Sequence, residues 1–212
     1  MKRYKLLLIA LLIVGCGMVK ADFIDSYGFK IGIVNAKQDF NYSDLDLQPY
    51  PNSITELVAG VSFEHIINSK FSFQSGLEFM TKGAKSDPLP LFGDNPNETL
   101  GTMVFEMNLD YLSIPIELKY SSTHLKYKPY GFFGLKYDKL IKKSNTGSLS
   151  DKIKNTEYHL TYGIGIMKEI KRYKLIGIGL EIRGSYPLTF TYSTDLLEIK
   201  NFTTDISLLF QL

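Results

Sequence analysis

The sequence predicts an all-β fold, an eight-stranded antiparallel up-and-down transmembrane β-barrel preceded by a cleaved signal peptide. Three observations lead there. Eight segments alternate apolar and polar residues with period two. The connections between them alternate long and short down the chain. After the N-terminal segment, no stretch reaches the roughly 18 apolar residues that would mark a spanning helix.

The N-terminal element is an address. Lys2, Arg3 and Lys5 precede an uncharged run of 14 residues, Leu6–Val19. That run falls short of the roughly 20 residues a spanning helix needs. A charged start, a short apolar run and small residues at a cleavage site are the anatomy of a secretory signal. Two sites compete. Val19-Lys20-Ala21 suits ordinary cleavage before Asp22, giving a signal at 1–21 and a barrel domain at 22–212. Ile13-Val14-Gly15-Cys16 fits a lipobox, in which Cys16 is acylated. Ordinary cleavage removes the only cysteine, so the exported domain cannot rely on disulfides.

The eight strand patterns follow in order. Tyr27, Phe29, Ile31 and Ile33 alternate with Gly28, Lys30 and Gly32. The second runs from Leu57 to Phe63, ending beside Glu64, and the third from Phe71 to Phe79 around Glu78. The fourth, Leu112 to Tyr120, sets Ser113, Pro115, Glu117 and Lys119 on its polar face. Just before it, Phe105, Met107, Leu109 and Tyr111 alternate in the opposite phase. A bulge near Tyr111 would explain the flip; so would a segment standing outside the membrane. The fifth pattern, Phe133 to Tyr137, has Lys136 and Asp138 on its polar side, although Tyr130 and Phe132 favour that side as well. The sixth runs from Tyr158 to Ile166 around His159, and the seventh from Ile176 to Ile182 with Glu181 and Arg183. The eighth, Phe202 to Leu212, has Asp205 on its polar face. Connections 35–55, 83–102, 144–155 and 191–200 are the longer ones, which places them outside the cell and both chain ends on the periplasmic side.

Sorting by face isolates the charges. Lys30, Glu64, Glu78, Glu117, Lys119, Lys136, Asp138, Glu181, Arg183 and Asp205 share the polar faces, whereas the opposite faces are nearly uncharged and rich in Tyr and Phe near strand ends. The apolar rows are long enough to face lipid. The charges then line a lumen that, with eight strands, is just wide enough for side chains to fill. Buried charges must pair, so Glu181 and Arg183 are expected to bridge to Lys30, Lys136, Glu78 or Glu117.

The run Leu109 to Tyr120, LDYLSIPIELKY, resembles the signature strand of the PorT-like outer-membrane β-barrel family, found widely in Bacteroidota. Tyr111, Leu112, Ile114, Pro115, Ile116 and Lys119 occupy the pattern's places. The chain's end, with Ile206, Leu208, Phe210 and Leu212, is similar to the targeting strand read by the barrel-assembly machinery, here closing on Leu212 rather than an aromatic. The resemblance implies an outer-membrane location and an eight-strand barrel. It implies little about activity.

Composition narrows the function classes. The 212 residues carry 24 Lys+Arg and 22 Asp+Glu, a net charge of +2 that becomes −2 once Lys2, Arg3, Lys5 and Lys20 are removed. That balance argues against a nucleic-acid partner. His65, His124 and His159 lack metal-ligand spacing, and no nucleophile elbow, phosphate loop or zinc-protease helix is present. No catalytic residue, metal or cofactor is expected. The partners expected are outer-membrane lipid, the assembly machinery and a protein at the outer loops, through Tyr42, Tyr50, Leu89, Leu91 and Phe92. A structural or binding barrel with a closed lumen is the leading expectation. A narrow channel or transport accessory is the second, and a soluble or lipidated carrier of an apolar ligand the third. The sequence does not encode a recognisable oligomeric state.

Overall fold

A computed structural model describes residues 24–43, 48–92, 99–122, 127–144, 152–172 and 175–212. Residues 1–21, expected from the sequence to be a signal, lie outside them, as do Cys16 and His124. The strands are β1 (Ser26–Tyr42), β2 (Asn52–Ile66), β3 (Phe71–Lys85), β4 (Leu89–Phe92), β5 (Thr99–Met103), β6 (Glu106–Ser121), β7 (Tyr127–Ser144), β8 (Thr156–Arg172), β9 (Leu175–Pro187), β10 (Tyr192–Ser193) and β11 (Leu197–Gln211).

Eight of these form a closed ring in the order β1-β2-β3-β6-β7-β8-β9-β11, shut by pairing of β11 with β1, and every pairing is antiparallel. The other three decorate the long connections. β4 and β5 make a hairpin between β3 and β6, and β10 pairs with the start of β11. Following paired residues from Ala36 through Thr203, Ser185, Thr161, Gly134, Glu117, Gln74 and Glu64 returns to β1 at Ser26, ten residues lower. Such a stagger goes with strands tilted by roughly 35–45°. The backbone at the seam is continued by the chain's last residue, since the amide of Leu212 donates to the carbonyl of Tyr27 at 2.7 Å.

The lower outer surface is the reverse of a water-soluble protein. Ile33, Phe133, Leu135, Leu160, Ile164, Leu180, Ile182, Ile206 and Leu208 are exposed on it, Ile164 to 67%. On β6 to β9 and on β11 these outward rows run about nine residues or more with an aromatic at one end or both, the length that crosses a bilayer at this tilt. Tyr137 packs on Tyr158 and Tyr186 on Phe202 at the long-loop edge, and Phe71 packs on Tyr120 at the short-turn edge. These are interfacial girdles.

Beyond the long-loop girdle the pattern inverts. On β6, Met107 and Leu109 point inward and are buried, while Glu106, Asn108 and Asp110 face out. On β11, Leu197 and Ile199 are buried beside outward Glu198 and Lys200. These residues join Phe40, Leu140, Ile153 and Tyr192 in one apolar cluster inside the barrel's upper end. The geometry of β6 does not flip at Tyr111. Its inward row runs unbroken from Met107 through Tyr111, Ser113, Pro115 and Glu117 to Lys119. The bulge lies instead on β7, where the pairing steps from Asp110–Lys142 to Tyr111–Leu140 and leaves Ile141 over. What changes along β6 is the medium outside it. Below the girdle lipid draws apolar residues outward; above it water drives them in. Pro115 sits inside β6 between the pairs Ser75–Ile116 and Glu78–Ser113 with β3, whose register runs on unchanged past it, and its carbonyl accepts from Ser75 Oγ at 3.0 Å. The proline has no N–H to donate, so the ladder loses a bond at this point without losing its register.

Candidate functional site in the barrel interior

The inward rows build three polar layers. At the short-turn mouth, Lys119 Nζ lies 3.1 Å from Glu64 Oε1 and stands over the Tyr130 ring. Gln211 Nε2 donates to Glu64 Oε2 at 3.1 Å. These groups line the floor of an open vestibule of about 260 Å³, with Lys70, Lys128 and Glu169 among its walls.

The middle layer is centred on Arg183 of β9. Its Nη1 donates to both oxygens of Glu78 on β3, at 2.7 and 3.0 Å. Its Nη2 donates to Glu117 and Glu181, each at 3.1 Å. Lys30 of β1 lies 2.8 Å from Asp205, 3.3 Å from Glu78 and 3.4 Å from Glu181. Tyr130 donates its hydroxyl to Glu181 at 3.1 Å, and the Phe132 ring faces the guanidinium. Two cations and four carboxylates are therefore fully enclosed, each with direct partners.

Lys136 does not join Glu181 or Arg183, contrary to one of the expected pairings. It donates to Ser185 Oγ at 3.0 Å and lies 3.9 Å from Asp138, because β7 carries it one step higher in the staggered ring. Above it lies the third layer. Lys82 Nζ is bonded to Asp138, lies 3.1 Å from Glu157 Oε2 and 2.8 Å from His159 Nε2. Glu157 accepts from the Tyr111 hydroxyl and from Asn201 Nδ2, and Gln38 Nε2 donates to Asn201 at 2.9 Å. Asp138, Glu157 and His159 bring ligand atoms within 4.8 Å of one another, a set fit for a metal ion. The Lys82 ammonium occupies the space among them and supplies the positive charge itself.

Lys82, Glu157, Asn201 and Gln38 are absent from the sequence-based lumen set. Their signal was phase: Lys82 continues the inward row Gln74, Gly76, Glu78, Met80, and Glu157 precedes His159 by two. Both lie beyond the ends that apolar alternation alone assigns to those strands, because outward polar residues there mark water rather than a loop. Of the signature run, Tyr111, Pro115 and Lys119 point inward, while Leu112, Ile114 and Ile116 face out. Ile206 and Leu208 face out on β11, with Phe210 half-buried at its lower end. Among the loop residues, Tyr42 and Tyr50 pack on the apolar cap, and Tyr50 stacks on Phe40, so neither projects as a free contact. Leu89 and Leu91 are exposed on β4; the Phe92 side chain lies outside the described residues.

A family model of the outer membrane protein beta-barrel domain matches residues 26–193. The chain belongs to that family. This barrel therefore resides in the outer membrane, its apolar belt in lipid. No curated protein matches it. Among solved structures it is similar to the outer membrane protein OprG of Pseudomonas aeruginosa, at 10% identity and TM-score 0.47, covering 88% of this chain and 95% of that one. It is similar also to Ail, the attachment invasion locus protein of Yersinia pestis, at 12% identity and TM-score 0.38, covering 88% and 98%. The outer membrane protease OmpT of Escherichia coli is matched at 8% identity and TM-score 0.41, covering 89% and 97%. At such identities nothing about the interior rests on these likenesses.

Proposed function

We propose that this outer-membrane barrel is a non-enzymatic structural or binding protein with a closed lumen, acting through its extracellular end. The observation that carries the reading is the filling of the interior. Arg183 spans the ring to Glu78, Lys82 closes the layer above, and the apolar cluster around Phe40, Met107 and Ile199 lies over both. A continuous water path would have to break buried, mutually paired charges, each costly to leave alone. The Glu157–His159 pair is buried beneath that cap, away from any substrate in water.

The exposed leucines Leu89 and Leu91, with Met103 opposite Leu89, give the β4–β5 hairpin an apolar face suited to a protein partner. The Tyr111-to-Lys119 run supports placing the chain among PorT-like barrels, and the β11 end supports recognition by the assembly machinery. Conductance of the refolded protein in a planar bilayer tests the closed lumen. The reading predicts no steady current. A stable ohmic pore would replace it with the channel reading.

A further inference from the structure

Four outward rows can be followed from the long-loop girdle into the headgroup region. On β7, Tyr137 is followed by Lys139. Outward from Tyr158 on β8, the row passes Thr156 to Lys154. From Tyr186 on β9, it passes Leu188 to Phe190, and on β11 Phe202 is followed by Lys200. The last rows converge. Lys200 Nζ stands 4.7 Å and Lys154 Nζ 5.8 Å from the centre of the Phe190 ring. One aromatic ring thus gathers two like charges, each within 6 Å of its centre. Among the described residues, neither ammonium pairs with a carboxylate, although Asp39 lies opposite Lys200 in the ladder and instead accepts from Gln48. The β6 row at the same edge reads Asp110, Asn108, Glu106 and carries no cation.

We propose that Lys154, Phe190 and Lys200 form a clamp for a phosphate of the phosphorylated glycolipid in the outer leaflet, with Lys139 beside it. Two ammonium groups gathered at one ring repel each other, and a phosphate, with several acceptor oxygens, offsets that repulsion through charge-assisted hydrogen bonds. Height selects the source. The clamp sits two to four residues beyond aromatics that mark the bilayer interface, where lipid phosphates lie. Bulk anions would require no such alignment with the girdle.

The test is heat-induced unfolding of the refolded barrel in phosphatidylcholine vesicles with and without diphosphoryl lipid A, and with lipid A stripped of its phosphates. The proposal predicts stabilisation by diphosphoryl lipid A alone, weakened by salt. The double variant Lys154→Gln/Lys200→Gln should require about thirty-fold more lipid A for the same stabilisation, from two lost charge contacts at a lipid surface. Its unfolding in phosphatidylcholine alone should match the wild type, and Lys154→Arg/Lys200→Arg should keep the response. Equal stabilisation by the dephosphorylated lipid, or an undiminished response in the Gln variant, would overturn the proposal.

Discussion

Arg183 Nη1 reaches both carboxylate oxygens of Glu78 across the full width of the barrel, since β9 and β3 lie four strands apart in a ring of eight. Neither residue is near the other in sequence, and neither is in reach of water. The pair ties opposite walls together at the level where lipid surrounds the barrel.

Truncating that tie should be costly. Arg183→Met takes from Glu117 its ion-pair partner and leaves Glu78, Glu181 and Asp205 sharing Lys30, and removing one partner of a buried pair costs about 3–5 kcal/mol. Reversible urea unfolding in lipid vesicles should show a loss of that size. Adding Glu117→Gln and Glu181→Gln should recover part of it. An unchanged midpoint for Arg183→Met would mean that the layer contributes nothing to stability.

The upper layer makes a metal-removal prediction. Lys82 fills the space among Asp138, Glu157 and His159, so a chelator should leave the unfolding midpoint of the wild type unchanged. Lys82→Ala should lower the midpoint and make it rise again with added Zn²⁺, since the vacated ligand set of two carboxylates and an imidazole suits that ion. Destabilisation of the wild type by a chelator would show that a metal, not the ammonium, holds the layer.

Much of this was legible from residue order. Period two assigned the eight ring strands, and the charges that gather around Arg183 are visible as one face of the alternation. The long-loop ends were not legible, for a physical reason. Alternation reports which face meets an apolar medium, and for Met107, Leu109 and Tyr111 that medium is the barrel's own interior rather than lipid. The same rule read with the opposite sign hid Lys82 and Glu157. The short strands β4, β5 and β10 carry too few residues for any period to register. Pairings such as Lys136 with Ser185 depend on the ten-residue stagger, which no single strand encodes.

The two apolar regions should respond differently to mutation. Phe40→Ala and Met107→Ala open cavities in the cap and should each cost about 2–5 kcal/mol. Leu89→Ser, on the exposed face of β4, should change stability by less than about 0.5 kcal/mol. Both follow from urea midpoints of the single variants. A cap variant as mild as Leu89→Ser would mean that the cluster is not a packed core.

Glycine spacing inside the wall gives a further test. Tyr130 pairs with Gly165 and Phe132 with Gly163 across β7 and β8, and a Cβ on Gly165 would fall 2.3 Å from the Tyr130 ring. The rings lie across glycines because no other residue leaves them room. Gly165→Ala should therefore cost about 1–3 kcal/mol through overpacking, and Gly165→Ala in a Tyr130→Leu background should cost less. Equal costs in both backgrounds would dissociate the glycine from the ring.

The central claim is that one set of strands carries two opposite hydrophobic patterns, lipid-facing below the girdle and self-facing above it. Single cysteines along β6, tagged with an environment-sensitive fluorophore after refolding into vesicles, test it most directly. Tags at Leu112, Ile114, Ile116 and Leu118 should be quenched by brominated lipid. Tags at Asn108 and Asp110 should be quenched by aqueous iodide, and cysteines at Leu109 and Tyr111 should resist labelling in the folded protein. Lipid quenching at Leu109 together with aqueous labelling at Ile114 would contradict the account outright.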